Sequence, residues 1–222
     1  MVRGLLATVN RFNAAHPWSH NDVYHRWLLR RLPPRLTRTI DLGCGTGNLV
    51  RALAPRAHAA EGIDQDATVI ATAIARQATE DVHRNVSFTV GSLMELDAAG
   101  RYDAVTAVAV IHHLPLQAAL GKARELLAPH GTLIIIGCYR PVTAADRAVE
   151  AVAIPVNLAM GLWKTSGQAE ARVAMSAPIA PIATTLAEVR AVAALVLPGA
   201  SIRRRLFWRY SLVWQAPDRS AS

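Results

Sequence analysis

The stretch TIDLGCGTGNLV, Thr39 to Val50, decides the fold. Thr39 to Leu42 reads as the end of a buried strand, Gly43, Gly45 and Gly47 as a tight turn, and Asn48-Leu49-Val50 as the opening of a helix. Glycines at a strand-to-helix turn let a ligand lie against the backbone. Phosphates, dinucleotides and nucleosides all exploit such turns, so the glycines alone do not choose among them. A dinucleotide fingerprint spaces its glycines as G-x-G-x-x-G. Here position 48 is Asn48, and the third glycine, Gly47, comes one residue early. A phosphate-binding P-loop would need Gly-Lys-Ser/Thr, which does not follow. Asp41 adds the decisive constraint. A carboxylate at the end of a buried strand is costly unless loop amides or a cationic ligand compensate it. It would repel a pyrophosphate. A ligand with ammonium and sulfonium centres and no phosphate satisfies both conditions.

Working outward, apolar runs with strand character alternate with helical periodicity, the pattern of a parallel sheet with crossover helices. RTIDLGC, HAAEGID, VSFTVGS, YDAVTAVAVI and GTLIIIGCY are the first five expected strands. GNLVRALAPRA, DATVIATAIARQATE and LQAALGKARELLAP are helices between them, the last closed by Pro129 and Gly131. After Arg140 the rhythm breaks into two or three expected helices with Pro-rich joints. ASIRRRLFWRYSLVWQA then reads as a closing hairpin. Ahead of the sheet, Ser19 is positioned to cap a helix over HNDVYHRWLLRRL that ends at Pro33-Pro34, with Val23, Trp27 and Leu28 on one face. The 222 residues form one expected domain, with an N-terminal helical cap over 1–36 and a helical lid insertion over 141–185.

IDLGCGTG resembles the first motif of the class I S-adenosylmethionine-dependent methyltransferases, and the similarity runs over roughly residues 20 to 140. The resemblance implies an α/β, Rossmann-like, seven-stranded, mostly parallel sheet in the order 3-2-1-4-5-7-6, with helices on both faces. It also implies S-adenosyl-L-methionine as cofactor, with S-adenosyl-L-homocysteine as product. Asp64, 23 residues after Asp41, closes the second strand, where a carboxylate can accept from a ribose diol. Glu61 and Asp66 are its rivals, but Glu61 lies within the strand and Asp66 suits a helix cap. Where relatives commonly carry Gly-Asp for the adenine amino group, this chain has Gly91-Ser92-Leu93. Ser92 still accepts, without charge assistance, and Glu95 or a water is the alternative acceptor. Leu93 offers its N–H and its side chain to the adenine ring. Cys44, Gln65 and Ala109, which flank these motifs, complete the expected cofactor contacts with Asp41, Gly43, Gly45 and Gly47.

VAVIHHLP resembles the family's fourth motif and sets His112 and His113 beside the methyl donor as candidate bases. Methyl transfer needs alignment first, and a base where the nucleophile must lose a proton early. Histidine suits that at neutral pH. His20 and Tyr24, one turn apart, are expected to line the acceptor site together with Met160 and Trp163 of the apolar segment after Arg140. No carboxylate cluster joins these histidines, so no metal is expected. The small, lipophilic acceptor suggested by that segment competes with an RNA or protein substrate docked through the arginine clusters, and with a scaffold that binds cofactor without turnover.

Composition narrows the remaining choices. Hydrophobic residues make up 52% and charged ones 18%, which excludes a disordered chain. The formal charge of +8 comes largely from arginines in HRWLLRRLPPRLTR and SIRRRLFWRY. No aromatic platform for single strands is interleaved with them, so nucleic acid is not expected, whereas peripheral contact with an anionic membrane is compatible. The apolar run Ala151–Trp163 is too short, and too interrupted by Pro155, to span a bilayer. Two cysteines without knuckle spacing fit a reducing cytoplasm.

Overall fold

A computed structural model describes residues 24–80, 84–97, 100–146, 149, 182–206 and 208–218. Seven strands form one sheet in the order β3-β2-β1-β4-β5-β7-β6. They are β1 (Leu36–Leu42), β2 (Ala57–Asp64), β3 (Val86–Val90), β4 (Tyr102–Val108), β5 (Leu127–Cys138), β6 (Ser201–Arg205) and β7 (Arg209–Gln215). The first five pair in parallel, and β7 runs antiparallel to both β5 and β6. This is the expected order. From β1 the chain winds outward to β2 and β3, then returns to lay β4 on the other side of β1. That reversal opens a crevice beyond the carboxyl ends of β1 and β4, the usual ligand position in such sheets.

Helices cover the sheet: α1 (His25–Leu29), α2 (Asn48–Leu53), α3 (Ala67–Glu80), α4 (Leu116–Leu126) and α5 (Leu186–Val196). Strand alternation divides the core between two faces. Val105, Ala107, Leu133 and Ile135 join Leu120, Val189 and their neighbours in one cluster. Ala104 and Ile134 join Leu28, Val50 and Ile70 in the other. Within α1, Leu28 is fully buried and Trp27 packs against the second cluster. Ser19 and Val23 lie outside the described residues.

Two expectations need correction or completion. Pro129 and Gly131 do not close the fourth helix, because α4 ends at Leu126 and β5 begins at Leu127. The pairing Tyr102↔Leu127 is followed by a register shift to Ala104↔Thr132. Gly131 sits in the shifted stretch, where a Cβ would meet the carbonyls of Ala128 and Tyr102 at 2.8 Å. The bulge therefore belongs to the strand. Beyond β5, Arg140 N–H donates to Thr184 O at 2.8 Å, and its Nε to Ala183 O at 3.1 Å. The two ends of segment 141–185 thus lie side by side. Thr185 and Glu188 form a reciprocal capping box that starts α5. Residues 150–181 of the expected insertion lie outside the described residues.

Candidate active site

The loop between β1 and α2 is held from beneath by β2. The N–H groups of Gly43 and Cys44 both donate to Ile63 O, at 2.8 and 3.0 Å. Gly43 and Gly47 have φ of 67° and 79°, the left-handed region that disfavours side chains. Their faces are also occupied by protein. A Cβ on Gly43 would stand 2.5 Å from Val110 Cγ2, and one on Gly47 2.4 Å from Phe88 Cε1. Close packing of the chain on itself therefore demands these glycines before any ligand does. Arg51 ties the loop from the outside, donating to Thr46 O at 2.7 Å and Asn48 Oδ1 at 2.9 Å. The Cys44 side chain is buried and belongs to the second core cluster.

Two carboxylates close adjacent strands. Asp41 is 3% exposed and accepts one bond from the Thr106 hydroxyl, at 2.7 Å. Burial, with the nearby Asp64 acting in the same direction, pushes its carboxyl up to about 7 against the pull of Thr106. The loop amides expected to compensate it go elsewhere. Gly43 and Cys44 serve Ile63 O, and Asp64 takes the Gly45 N–H at 2.9 Å together with the Asp66 N–H beyond its own strand at 3.0 Å. Its rivals are committed to the fold. Glu61 accepts from Arg38 and from Tyr102 Oη, and Asp66 accepts from Thr68 N–H at 2.8 Å at the start of α3. Gln65 is exposed beside Asp64. Neighbouring carboxylates at the open end of the crevice, one buried with a single hydroxyl donor, suit a ligand with positive centres and repel a pyrophosphate.

On the third strand's side, Gly91 N–H donates to Asp64 O at 2.9 Å, which draws the next loop against β2. Ser92 Oγ accepts from Met94 N–H at 3.2 Å and caps a short 3₁₀ turn, Leu93–Glu95. The Leu93 side chain is 5% exposed and belongs to the core cluster, so it is not an open platform for a ring.

Beyond β4, Ala109 adopts a left-handed φ of 58° while its N–H donates to Ile136 O at 2.7 Å. A non-glycine residue so held is strained, and the strain turns the chain so that Val110 covers Gly43. His112 and His113 follow in a 3₁₀ turn with ring centroids 4.0 Å apart and planes tilted by 39°. They are not equivalent. His113 is exposed, whereas His112 is half-buried and its Nδ1 is enclosed with no hydrogen-bond partner. Burial first, then the charges of His113 and Arg209, push His112 down to about 4. The expectation that either histidine titrates near neutrality in the free protein is thus corrected for His112.

Tyr24 is buried and its hydroxyl donates to Leu206 O at 2.8 Å, in the β6–β7 turn. Its own polar atom is therefore engaged. Arg209 donates to Cys138 Sγ and acts electrostatically on both Tyr24 and His112, which links the N-terminal helix, the strand ends and the closing hairpin. His20, Met160 and Trp163 lie outside the described residues, and so does any pocket they would line. Two described clefts lie elsewhere: about 440 Å³ between α3 and β3 beside Ile74 and Phe88, and about 380 Å³ at the amino end beside His58 and Asp103. Sequence reasoning missed Thr106 and Arg209. Thr106 had a signal, as the one hydroxyl inside the apolar run AVTAVAV. Arg209 had none, since only the register of the hairpin singles it out.

Among the described residues no helix is long and apolar enough to cross a membrane, and no group of three or more His, Cys, Asp and Glu side chains could hold a metal. Residues 40–131 match the family model described as a methyltransferase domain. The chain is 31% identical to the methyltransferase Rv0089 of Mycobacterium tuberculosis over 90% of its own length and 98% of that protein's. It is also 31% identical to the ubiquinone biosynthesis O-methyltransferase of Xanthomonas axonopodis pv. citri, over 58% of this chain and 54% of that one. Among solved structures, the PH0226 protein of Pyrococcus horikoshii superposes with a TM-score of 0.62 at 17% identity, covering 88% of each chain. With the sheet order, the glycine turn and this full-length relative in agreement, the chain belongs to the class I S-adenosylmethionine-dependent methyltransferases.

Proposed function

We propose that the chain methylates an oxygen, nitrogen or carbon of a small, lipophilic metabolite, with Asp41, Asp64 and the glycine loop holding the cofactor and His112 beside the acceptor. The observation that carries the reading is His112 itself. A half-buried imidazole with an enclosed, unpartnered Nδ1 just past the end of β4 marks a desolvated place for a reacting group. S-adenosylmethionine supplies a methyl carbon on a sulfonium, and the acceptor's lone pair bonds to it as the C–S electrons return to sulfur, leaving S-adenosylhomocysteine. Asp41 faces the cofactor's positive charge, and the Asp64 carboxylate keeps lone pairs for a ribose after serving Gly45 and Asp66. Because His112 is uncharged at neutral pH, it takes the proton from a hydroxyl acceptor, and water exclusion favours the transfer.

The relative named for ubiquinone biosynthesis and O-methyl transfer makes a lipophilic oxygen acceptor the first to try. Docking of RNA or protein through arginines loses support, because Arg38 pairs with Glu61, Arg204 with Asp146, and Arg205 stacks on Trp27. Incubation of the protein with methyl-labelled S-adenosylmethionine and fractionated cell extract tests the reading. Label in the organic-extractable fraction is the expected outcome. Label confined to RNA or protein would overturn it.

A further inference from the structure

Two stretches of the chain carry arginine without any acid. Five arginines stand between Tyr24 and Ile40 and four between Ser201 and Pro217, with no Asp or Glu in either. Trp27 of α1 brings the two stretches together: Arg31 lies over its ring at 3.7 Å and Arg205, from the edge strand β6, at 4.4 Å. The hairpin register sets Arg203 opposite Ser211 and Arg205 opposite Arg209, so Arg203 and Arg205 share one sheet face and Arg204 takes the other. Their face is the one α1 covers, since Val213, opposite Ser201, packs with Leu28 and Trp27 in the second core cluster. Arg38 and Arg204 are neutralised by Glu61 and Asp146, and Arg35 lines the cleft at the amino end of the sheet. Arg26, Arg30, Arg31 and Arg203 are exposed, and none has an ion pair among the described residues. Arg26 and Arg30 stand one helical turn apart, in the row beside Trp27 and Arg31. The crowding is felt at Arg205, whose proton affinity is depressed by burial first and then by the charges of Arg31 and Arg203.

We infer that the face formed by α1 and β6 docks the protein on an anionic membrane surface, with Arg26, Arg30, Arg31 and Arg203 set against the lipid phosphates. Lipid phosphates relieve the repulsion among these arginines, and the formal charge of +8 adds attraction at longer range. The preference for a membrane over nucleic acid rests on the reading of the acceptor as lipophilic, because a bilayer holds such a molecule. The one ring at the centre of this face, Trp27, is already engaged by two guanidinium groups, which leaves bases no free platform to stack on. The face also adjoins the reacting end of the site. Tyr24, at the start of α1, donates to Leu206 O and feels the charges of Arg209 and Arg205, and Arg209 acts in turn on His112.

The test is cosedimentation of the full chain with vesicles of pure phosphatidylcholine, or of equal parts phosphatidylcholine and phosphatidylglycerol. Binding about tenfold or more tighter to the anionic vesicles, and weakened by added salt, is expected. Each basic residue near such a surface strengthens binding about fivefold, so Arg30→Gln combined with Arg203→Gln, one change on each element, should remove about tenfold or more. Arg84→Gln combined with Arg190→Gln takes the same charge from exposed positions ahead of β3 and on α5, and should cost less than about threefold. Unchanged S-adenosylhomocysteine affinity shows that each variant is folded. Should the first pair lose that affinity, Arg26→Gln with Arg203→Gln takes its place. Equal binding to the two vesicle types, binding to neither, or equal losses in the two paired variants overturns the inference. Tighter binding to an RNA oligonucleotide than to anionic vesicles at the same salt overturns it as well. None of these outcomes touches the lipophilic-acceptor reading, which stands or falls on label in the organic-extractable fraction.

Discussion

Glu61 and Asp41 sit one step apart in the register of two paired strands, Glu61 opposite Ile40 and Asp41 opposite Gly62, yet their surroundings have opposite character. Glu61 is saturated by the Arg38 guanidinium and the Tyr102 hydroxyl. Asp41 has a single hydroxyl from Thr106 and almost no water. A carboxylate that the fold satisfies stabilises the fold, whereas one that the fold strips of water and leaves short of donors costs stability until a cation arrives. On neighbouring strands of one sheet, one acid is satisfied by the fold and the other is left with a single hydroxyl donor.

The sharpest way to break that contrast is Asp41→Asn. The amide keeps an acceptor for Thr106 but loses the charge, so cofactor affinity should fall by about a hundredfold or more, on the order of 3 kcal/mol. The same variant should make the ligand-free protein more stable. Burial raises the Asp41 carboxyl to about 7, so the folded state holds that proton more tightly than the unfolded chain does. Stability from this group is therefore complete below about pH 4 and lost as pH rises through 7. Melting temperatures of the two proteins should converge at pH 4 and separate by pH 8, with the asparagine variant higher. An unshifted melting curve at pH 8 would show that Asp41 is satisfied after all.

Next in size, His112→Ala should lower turnover of a hydroxyl acceptor roughly a hundredfold, with a smaller loss for a carbon or amine acceptor. A steady-state comparison of kcat at fixed cofactor saturation measures it. Asp64→Ala should weaken cofactor binding by roughly 1–3 kcal/mol, because both the ligand and the Gly45 amide lose their acceptor. Glu61→Gln is its counterpart: a stability loss of about 1 kcal/mol, given its partial exposure, with calorimetric cofactor affinity unchanged. If Glu61→Gln weakened the cofactor as much as Asp64→Ala, the assignment of acids to fold and site would be wrong. The smallest effect belongs to Ser92→Asp. Aspartate also caps the Leu93–Glu95 turn, so the protein should fold normally and bind cofactor a few-fold tighter if the adenine amino group lies there.

The residues proposed to hold the cofactor could be located in the sequence because they are set by local features. Asp41, the three glycines and Asp64 stand at fixed offsets from strand ends, and strand ends follow from hydrophobic runs that any reader of the chain can locate. That Glu61 lies inside its strand and Asp66 caps a helix was also legible, since strand interior and helix cap are local properties. Side-chain destinations were not legible: Cys44 and Leu93 are buried in the core clusters, and burial lowers the proton affinity of His112. The turn at Pro129 and Gly131 looked like a helix end because punctuation residues mark helix ends and strand bulges alike.

By itself, then, the sequence determined the sheet, its order through the family resemblance, and the ligand class, because periodicity and backbone stereochemistry are written residue by residue. Only the tertiary structure decided which carboxylate goes short of donors, which histidine is desolvated, and which arginines meet across the closing hairpin. Those properties depend on strand register and on burial, and both are sums over residues far apart in the chain: Thr106 lies 65 positions from Asp41, and Cys138 lies 71 from Arg209. A local pattern fixes where a side chain starts, but its hydrogen-bond partners, its dielectric surroundings and hence its chemistry are set by whatever the rest of the chain brings beside it.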